Sequence, residues 1–345
     1  MIDLRSDTVT LPTPRMREAM YHAELGDDVF GEDPTVNRLQ EMAAERMGKE
    51  ASLLVVSGTM GNLVSLLTHC GRGDEVIMGH IAHTFLYEAG GASALGGIHV
   101  RTVPNQPNGM LEPAGVEAAI RGDNVHFPRS RLVCLENTHN RCGGAVLSAA
   151  QMHSVASVAR AHGLRVHLDG ARIFNAAVAL GVPAATLAAH ADSVTFCLSK
   201  GLSAPVGAVI CGSREFISEA RRNRKVVGGG MRQAGVLAAA GIVALEEMVG
   251  RLADDHAHAR LLAEAIAGIP GLEIDPETVQ SNIVIFEVAS ANLTPADVSA
   301  GLLAEGVKIN PIEGRRMRAV THYGIERADV EQAIRALEKV MKEAP

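Results

Sequence analysis

Short apolar runs separated by segments of helical period set the rhythm of the first two-thirds of the chain. Residues 51–56, 75–78, 98–103, 132–135, 164–168, 193–200 and 208–211 are mostly apolar without strict alternation, the pattern of strands buried on both faces. Between them, residues 33–48 place Val36, Leu39, Met42, Ala43 and Met47 on one helical face. Helices are also predicted from Ser57-Gly58-Thr59 to about His69, and at 84–95, 113–120, 152–162 and 184–191. This alternation predicts a mostly parallel sheet covered on both faces. A long helix at 233–258 then leaves this unit. Beyond it the rhythm changes: strand 282–288, helix 295–305, strands 307–310 and 317–322, and helix 327–343 read as a small α+β unit. Residues 1–15 read as an extended arm.

Two of the strands deliver charge to their carboxyl ends. The run 193–200 ends in Lys200 followed by Gly201, and the run 164–168 ends in Asp169-Gly170-Ala171-Arg172. In open α/β sheets that edge is where ligands bind. A lysine withdrawn from water there is a nucleophile towards aldehydes. An aspartate can act as counter-ion to a protonated pyridine nitrogen, or simply cap the next helix. Arg172 has two readings, a partner for Asp169 or an anion site. Ser57-Gly58-Thr59-Met60-Gly61-Asn62 follows a strand and opens a helix, so its backbone N–H groups and the helix dipole suit an anion such as a phosphate monoester. It is neither a Walker loop nor a G-x-G-x-x-G turn, and a capped helix start explains the segment about as well.

His83 follows the strand 75–78 at the same edge, where an imidazole can stack on a flat ring and exchange a proton. His126, in the loop 123–130, is a second candidate. His80 and His83 have a spacing that suits a metal, but no Cys or acidic cluster completes a site, so none is expected. Gly228-Gly229-Gly230-Met231-Arg232-Gln233 reads as backbone approaching a ligand or a neighbouring subunit with Arg232 facing phosphate, or as a flexible turn.

Composition narrows the class. With 47% apolar residues, 3% aromatics and no Trp among 345 residues, Ala, Leu, Val and Ile must build the core. A formal charge of −7 argues against nucleic acid as a partner. The five cysteines form no CxxC pair, as expected of reduced thiols in a cytoplasmic protein. No signal-peptide h-region is visible at the N-terminus, and the longest apolar run, 234–245, is too short to span a bilayer.

Several runs together resemble one family. These are Asp3-Leu4-Arg5-Ser6-Asp7-Thr8-Val9-Thr10, Gly26-Asp27-Asp28-Val29-Phe30-Gly31, Asp33-Pro34-Thr35-Val36, Leu135-Glu136-Asn137-Thr138-His139-Asn140, His167-Leu168-Asp169-Gly170-Ala171-Arg172, Leu198-Ser199-Lys200-Gly201 and 228–233. They resemble the low-specificity L-threonine aldolases, pyridoxal-phosphate enzymes of the aspartate-aminotransferase fold (fold type I). The likeness covers nearly the whole chain and is weakest at 270–315. It implies an N-terminal arm (1–15), a large α/β domain (16–250) with a mostly parallel seven-stranded sheet flanked by helices, and a small C-terminal α+β domain (251–345).

The resemblance also implies roles. Lys200 would hold pyridoxal 5'-phosphate covalently, Asp169 would pair with its ring nitrogen, and His83 would stack on the ring. Gly58 and Thr59 would bind the phosphate, with Arg232 from a second subunit. Ser6, Arg172 and Arg318 would hold the carboxylate of an amino-acid substrate, and Tyr87 would wall the pocket near its side chain. His83 or His126 would take the β-hydroxyl proton in a retro-aldol cleavage to glycine and an aldehyde. A homo-oligomer, a dimer of dimers with shared sites, would follow. Competing expectations are another fold type I reaction (phenylserine cleavage, β-elimination or transamination) and a silent binding protein on the same fold.

Overall fold

The computed structural model describes residues 1–342. A two-residue strand, β1 (Ile2–Asp3), precedes one large sheet made of β2 (Ala51–Val55), β3 (Glu75–Gly79), β4 (His99–Val103), β5 (Ser130–Glu136), β6 (Arg165–Asp169), β7 (Ser193–Cys197) and β8 (Ala208–Gly212). Their order is β2-β8-β7-β6-β5-β3-β4. The pairs from β7 through β4 are parallel, and β8 runs antiparallel to both β7 and β2. A strand's period of two sends neighbours to opposite faces, and here both faces are apolar. Leu54, Ile77, Val133, Leu135, Val166, Leu168, Val194 and Val209 enter one core. Leu53, Val55, Cys197, Ala208 and Ile210 enter a second, and Val76, Met78, Leu132 and Cys134 a third on that same side.

The helices of this region are α1 (Pro14–Tyr21), α2 (Pro34–Met47), α3 (Gly58–His69), α4 (His83–Leu86), α5 (Gly91–Ala94), α6 (Pro113–Ala119), α7 (Ala149–Ala161), α8 (Ile173–Leu180), α9 (Ala184–Ala188), α10 (Arg214–Val226), α11 (Gly235–Val243) and α12 (Val249–Ala267). Helix α3 packs on β7 and β8, beneath α10. Asp33 caps α2 through the N–H groups of Thr35 and Val36, and Ser57 caps α3 through that of Met60.

Several elements depart from the sequence pattern. The expected arm 1–15 contains β1, a 3₁₀ turn at Asp7–Val9 and the first residues of α1. The helix expected over 84–95 is broken into α4 and α5, because Ala89 and Gly90 take positive φ and turn Glu88 into the interior. The expected helix 233–258 is α11 and α12 joined by a π turn, Ala244–Met248. The run 193–200 leaves the sheet at Cys197, so Lys200 sits three residues past the strand. Helix α8 is apolar on nearly every side, with the one polar residue, Asn175, itself buried, so its period is not readable. In α10 the buried positions Ile217, Ala220 and Arg224 include a charged residue, which hides the stripe.

After α12 come β9 (Leu272–Glu273), β10 (Ile283–Val288), helix α13 (Pro295–Ala304), β11 (Val307–Lys308), β12 (Asn310–Pro311), β13 (Arg316–Val320) and α14 (Arg327–Lys342). Glu343, the last residue of the expected final helix, lies outside the described residues. An antiparallel sheet, β12-β13-β10-β9, packs with α12, α13 and α14 around Phe286, Leu302, Met317 and Leu337. Ile2 and Leu4 insert into this same core, and β1 pairs in parallel with β11. The antiparallel register sets Arg318 opposite both Ile285 and Asn310. No helix among the described residues is long and apolar enough to cross a membrane.

The seat of α3 on the sheet is tight. A Cβ on Gly61 would lie 2.5 Å from Cγ2 of Thr195, a buried β-branched residue of β7. Replacing a helical Gly by Ala gains about 1 kcal/mol of propensity, whereas overpacking a rigid contact costs about 1–3 kcal/mol. Gly61→Ala is therefore expected to lower the denaturant midpoint. A raised midpoint would show that α3 can lift off β7 freely.

Candidate active site

A cavity of about 360 Å³ opens at the carboxyl edge of the parallel strands, where the N-terminal segment and β13 close over it. Lys200, His83, Tyr87, Arg172, Arg318 and Ser6 all line it. A larger cavity of about 570 Å³ adjoins it, shares Arg141 and Ile285, and lacks Lys200. The chemistry collects in the smaller one.

The polar floor follows from strand alternation. On β6, Val166 and Leu168 face one core, so His167 and Asp169 face α3. There Asn62 meets both. Its Nδ2 donates to Asp169 Oδ2 at 2.9 Å, and its Oδ1 lies 3.1 Å from His167 Nε2. An amide oxygen only accepts, so His167 carries its proton on Nε2 and accepts at Nδ1 from Ser193 Oγ, 2.8 Å away. Burial pushes His167 down to about 4 and His69, which contacts the same Ser193 Oγ, down to about 3. Both imidazoles are therefore neutral at pH 7. Asp169 Oδ1 accepts the N–H of Ala171, so the residue also serves the local turn. The pairing weighed between Arg172 and Asp169 does not form.

Arg172 instead forks Asp7, with Nε and Nη2 each 2.7 Å from a carboxylate oxygen. Both residues are buried. Against the burial that opposes ionisation, the guanidinium holds the Asp7 carboxyl far below the usual range. Asn282, just before β10, adds a third hydrogen bond to Asp7. Arg318 has no such partner. Its Nη1 and Nη2 donate to Asn140 Oδ1 and the Arg5 carbonyl, and its buried Nε is unsatisfied. Burial, and then the neighbouring Arg172 charge, lower its pKa. Two adjacent guanidiniums share one carboxylate here, so the cavity has a place for an anion. Of the nearby arginines, Arg315 is spent on the carbonyls of Val288, Ser290 and Leu293, and Arg316 faces the larger cavity.

The Lys200 side chain is half-buried, its charge acts on the buried Cys197 thiol, and its carbonyl accepts from Thr10 Oγ1. Cys197 in turn packs on the start of α3, where a Cβ on Gly58 would come within 2.8 Å of Sγ. The first turn of α3 carries no acidic residue, and Thr59 is exposed. The helix start, with its free N–H groups, is thus pressed against the loop that carries Lys200.

His83 begins α4. Its backbone N–H donates to Glu136 Oε2, its Nδ1 lies 2.9 Å from Glu88 Oε1, and the Tyr87 ring is 5.6 Å away. Against the burial that favours the neutral ring, the hydrogen bond to Glu88 and the nearby Asp169 carboxylate raise its pKa.

Asp169, Gly58 and Thr59 lie behind the cavity lining rather than in it, and His126 and Arg232 are placed elsewhere in their own chain. His126 is exposed in the loop before β5. It precedes a parallel strand rather than following one, so it stands at the opposite edge of the sheet. Arg232 is half exposed and pairs with Asp27 at 3.0 Å, away from this cavity. Sequence reasoning missed Asn62, Glu88 and Asp7 as parts of the site. Each acts by holding another side chain, and their only signal is placement beside Gly58, His83 and Ser6.

Fold and cavity together define an open α/β enzyme with its site at the carboxyl ends of the strands. The beta-eliminating lyase family model matches residues 3–289. The chain is 47% identical over 344 residues to low-specificity L-threonine aldolase 1 of Arabidopsis thaliana, covering 99% of this chain and 96% of that protein. It is 46% identical over 331 residues to a low specificity L-threonine aldolase of Escherichia coli, covering 95% of each. A solved structure of Leishmania major threonine aldolase matches with a TM-score of 0.83 at 19% identity, over 99% of this chain and 100% of that one, which speaks for the fold. This chain belongs to the low-specificity L-threonine aldolase family.

Removing one member of a buried ion pair typically costs about 3–5 kcal/mol. Asp7→Asn is expected to lose stability of that order in guanidinium titrations, and an unchanged midpoint would contradict the role given to the pair. The depressed Asp7 pKa means that its contribution is present above the unfolded carboxylate value of about 3.9 and is lost as pH falls towards the folded value. The variant should therefore show a flatter acid limb of stability against pH.

Proposed function

We propose that this protein cleaves the Cα–Cβ bond of L-threonine, L-allo-threonine and related β-hydroxy-α-amino acids, giving glycine and an aldehyde, with pyridoxal 5'-phosphate as cofactor. The observation that carries the reading is one cavity holding an amine, Lys200, a half-buried guanidinium without an ion pair of its own, Arg318, and an imidazole, His83.

The residues present fit that cofactor. Asp169 is buried and clamped by Asn62, as a partner for a ring nitrogen requires. The start of α3, with Gly58 and Thr59, offers backbone N–H groups to a phosphate beside the Lys200 loop. Pyridoxal phosphate, when bound, supplies an electron sink for the pair released from the breaking Cα–Cβ bond.

The protein's part is orientation and proton transfer. Arg318, with Arg172 held rigid by Asp7 and Ser6 alongside, receives the substrate carboxylate. Fixing that group would set the orientation of the substrate's Cα–Cβ bond, the one that breaks. His83 Nε2 takes the proton from the β-hydroxyl. His83 lines the cavity and is the base on this reading; His126, outside the cavity of its own chain, could serve only a neighbour's site. Tyr87, half exposed beside His83, walls the side-chain end without gripping the hydroxyl from one side.

Arg232 lies outside its own cavity, which supports its service to a neighbour's site in a homo-oligomer, a dimer of dimers. Five free cysteines, four of them buried, support a cytoplasmic setting.

The test is an absorbance spectrum with pyridoxal phosphate before and after L-threonine, with acetaldehyde, pyruvate and ammonia assayed together. Acetaldehyde and glycine are the expected products; pyruvate with ammonia would point to β-elimination. His83→Asn should keep the cofactor absorbance and lose roughly 10²–10⁴-fold in kcat, and an unchanged kcat removes His83 as the base. The kcat/KM values for L-threonine and L-allo-threonine should differ by less than about tenfold, under about 1.4 kcal/mol of discrimination. A larger ratio would mean that one face of the β-carbon is gripped after all.

A further inference from the structure

Glu88 is a buried carboxylate that the reaction as described does not use. Its Oε1 receives two groups: Asn62 Nδ2 at 2.8 Å and His83 Nδ1 at 2.9 Å. The same Asn62 nitrogen donates to Asp169 Oδ2. Its Oδ1 is committed to His167, so the amide cannot be turned, and its two N–H bonds go one to each carboxylate. Glu88 is thereby fixed as an acceptor facing His83, and among the described residues nothing contacts the other ring nitrogen of His83.

We propose that Glu88 is a positioning residue for His83: it holds the ring proton on Nδ1 and so keeps Nε2 as the unprotonated nitrogen facing the cavity. This rests on the reading of His83 as the base. The nitrogen of an imidazole that carries the proton is set by the hydrogen bond made at the other end of the ring. The groups facing His83 are Glu88 and Tyr87 from its own turn, Glu136 at the end of β5, Asp169 at the end of β6, and Lys200. Glu136 is engaged by the backbone N–H of His83 rather than by the ring, and Lys200 repels a proton there. Glu88 is therefore the group that binds the ring proton. Burial and the neighbouring Asp169 raise its own pKa. The shared Asn62 links the base to the carboxylate proposed to face the cofactor, so one amide holds both ends of the site in register.

Two variants test this. Glu88→Gln keeps an acceptor and removes the charge; Glu88→Met removes both at similar length. In Glu88→Gln the acid limb of kcat/KM should move to lower pH by about one unit, since loss of the carboxylate destabilises the His83 imidazolium. In Glu88→Met kcat should fall by roughly 10–100-fold, the usual loss when a histidine's outer partner is removed, with cofactor absorbance retained. Independently of turnover, ¹⁵N-histidine NMR of the cofactor-free protein, assigned through His83→Asn, should show Nδ1–H in the wild type. The same spectra should show a lower His83 midpoint in Glu88→Gln and loss of the Nδ1–H tautomer in Glu88→Met. The proposal is overturned if the limb and the NMR midpoint stay at wild-type values in Glu88→Gln. It is equally overturned if Glu88→Met loses cofactor and activity together while Glu88→Gln behaves as wild type, which is the signature of a scaffold residue. Failure of the wild type to form acetaldehyde would sink the aldolase reading instead, and the tautomer measurement would still stand on its own.

Discussion

One carboxylate set beside two arginines decides what this cavity can hold. Asp7 is forked by the buried Arg172, while the half-buried Arg318 donates only to neutral acceptors and feels the Asp7 charge without pairing with it. A guanidinium partly withdrawn from water without an ion pair of its own is costly, and an anion entering the cavity would offset part of that cost. Asp7 comes from the N-terminal segment, Arg172 from the turn after β6 and Arg318 from β13. Selectivity for an amino acid is thus a property of how three distant parts of the chain close on one another. Arg172, already saturated on its Asp7 side, is stiff and can contribute direction without the entropy of a mobile side chain.

A second layer of constraint lies under the first. The period of two along β6 turns His167 and Asp169 towards α3, and α3 approaches closely because Gly61 has no side chain where Thr195 stands. That closeness lets Asn62 reach Asp169, His167 and Glu88 at once. Low dielectric makes such a network strong when every donor and acceptor is matched and expensive when one is not. The two buried histidines are kept neutral by the same burial, so they act as fixed hydrogen-bonding parts.

Much of this could be read from the sequence. The seven apolar runs mark the seven strands, and Lys200, Asp169, Arg172, Arg318, His83, Tyr87 and Ser6 do come together near one edge. Pattern reading failed where a side chain's job is to hold another side chain. Asn62 looks like one more helix residue, and Glu88 sits in a break that helical period conceals. Asp7 is a charged residue in an arm with no period at all. It also failed for α8 and α10, where a buried asparagine within an apolar run and a buried arginine each obscure the stripe. His126 stands before its strand and so lies outside its own chain's cavity, a placement that loop position alone does not disclose.

The pairing of β1 with β11 has a consequence for how the molecule comes into being. Ile2 and Leu4 have no core of their own, and the one that receives them is built from residues beyond 259. A growing chain can complete the seven-stranded sheet while its first residues still lack a docking place. Only when the final strands emerge can the leading segment be stitched down and bring Asp7 against Arg172. The seating of Asp7 beside Arg172 and Arg318 is therefore completed only when the last part of the chain has folded around the first.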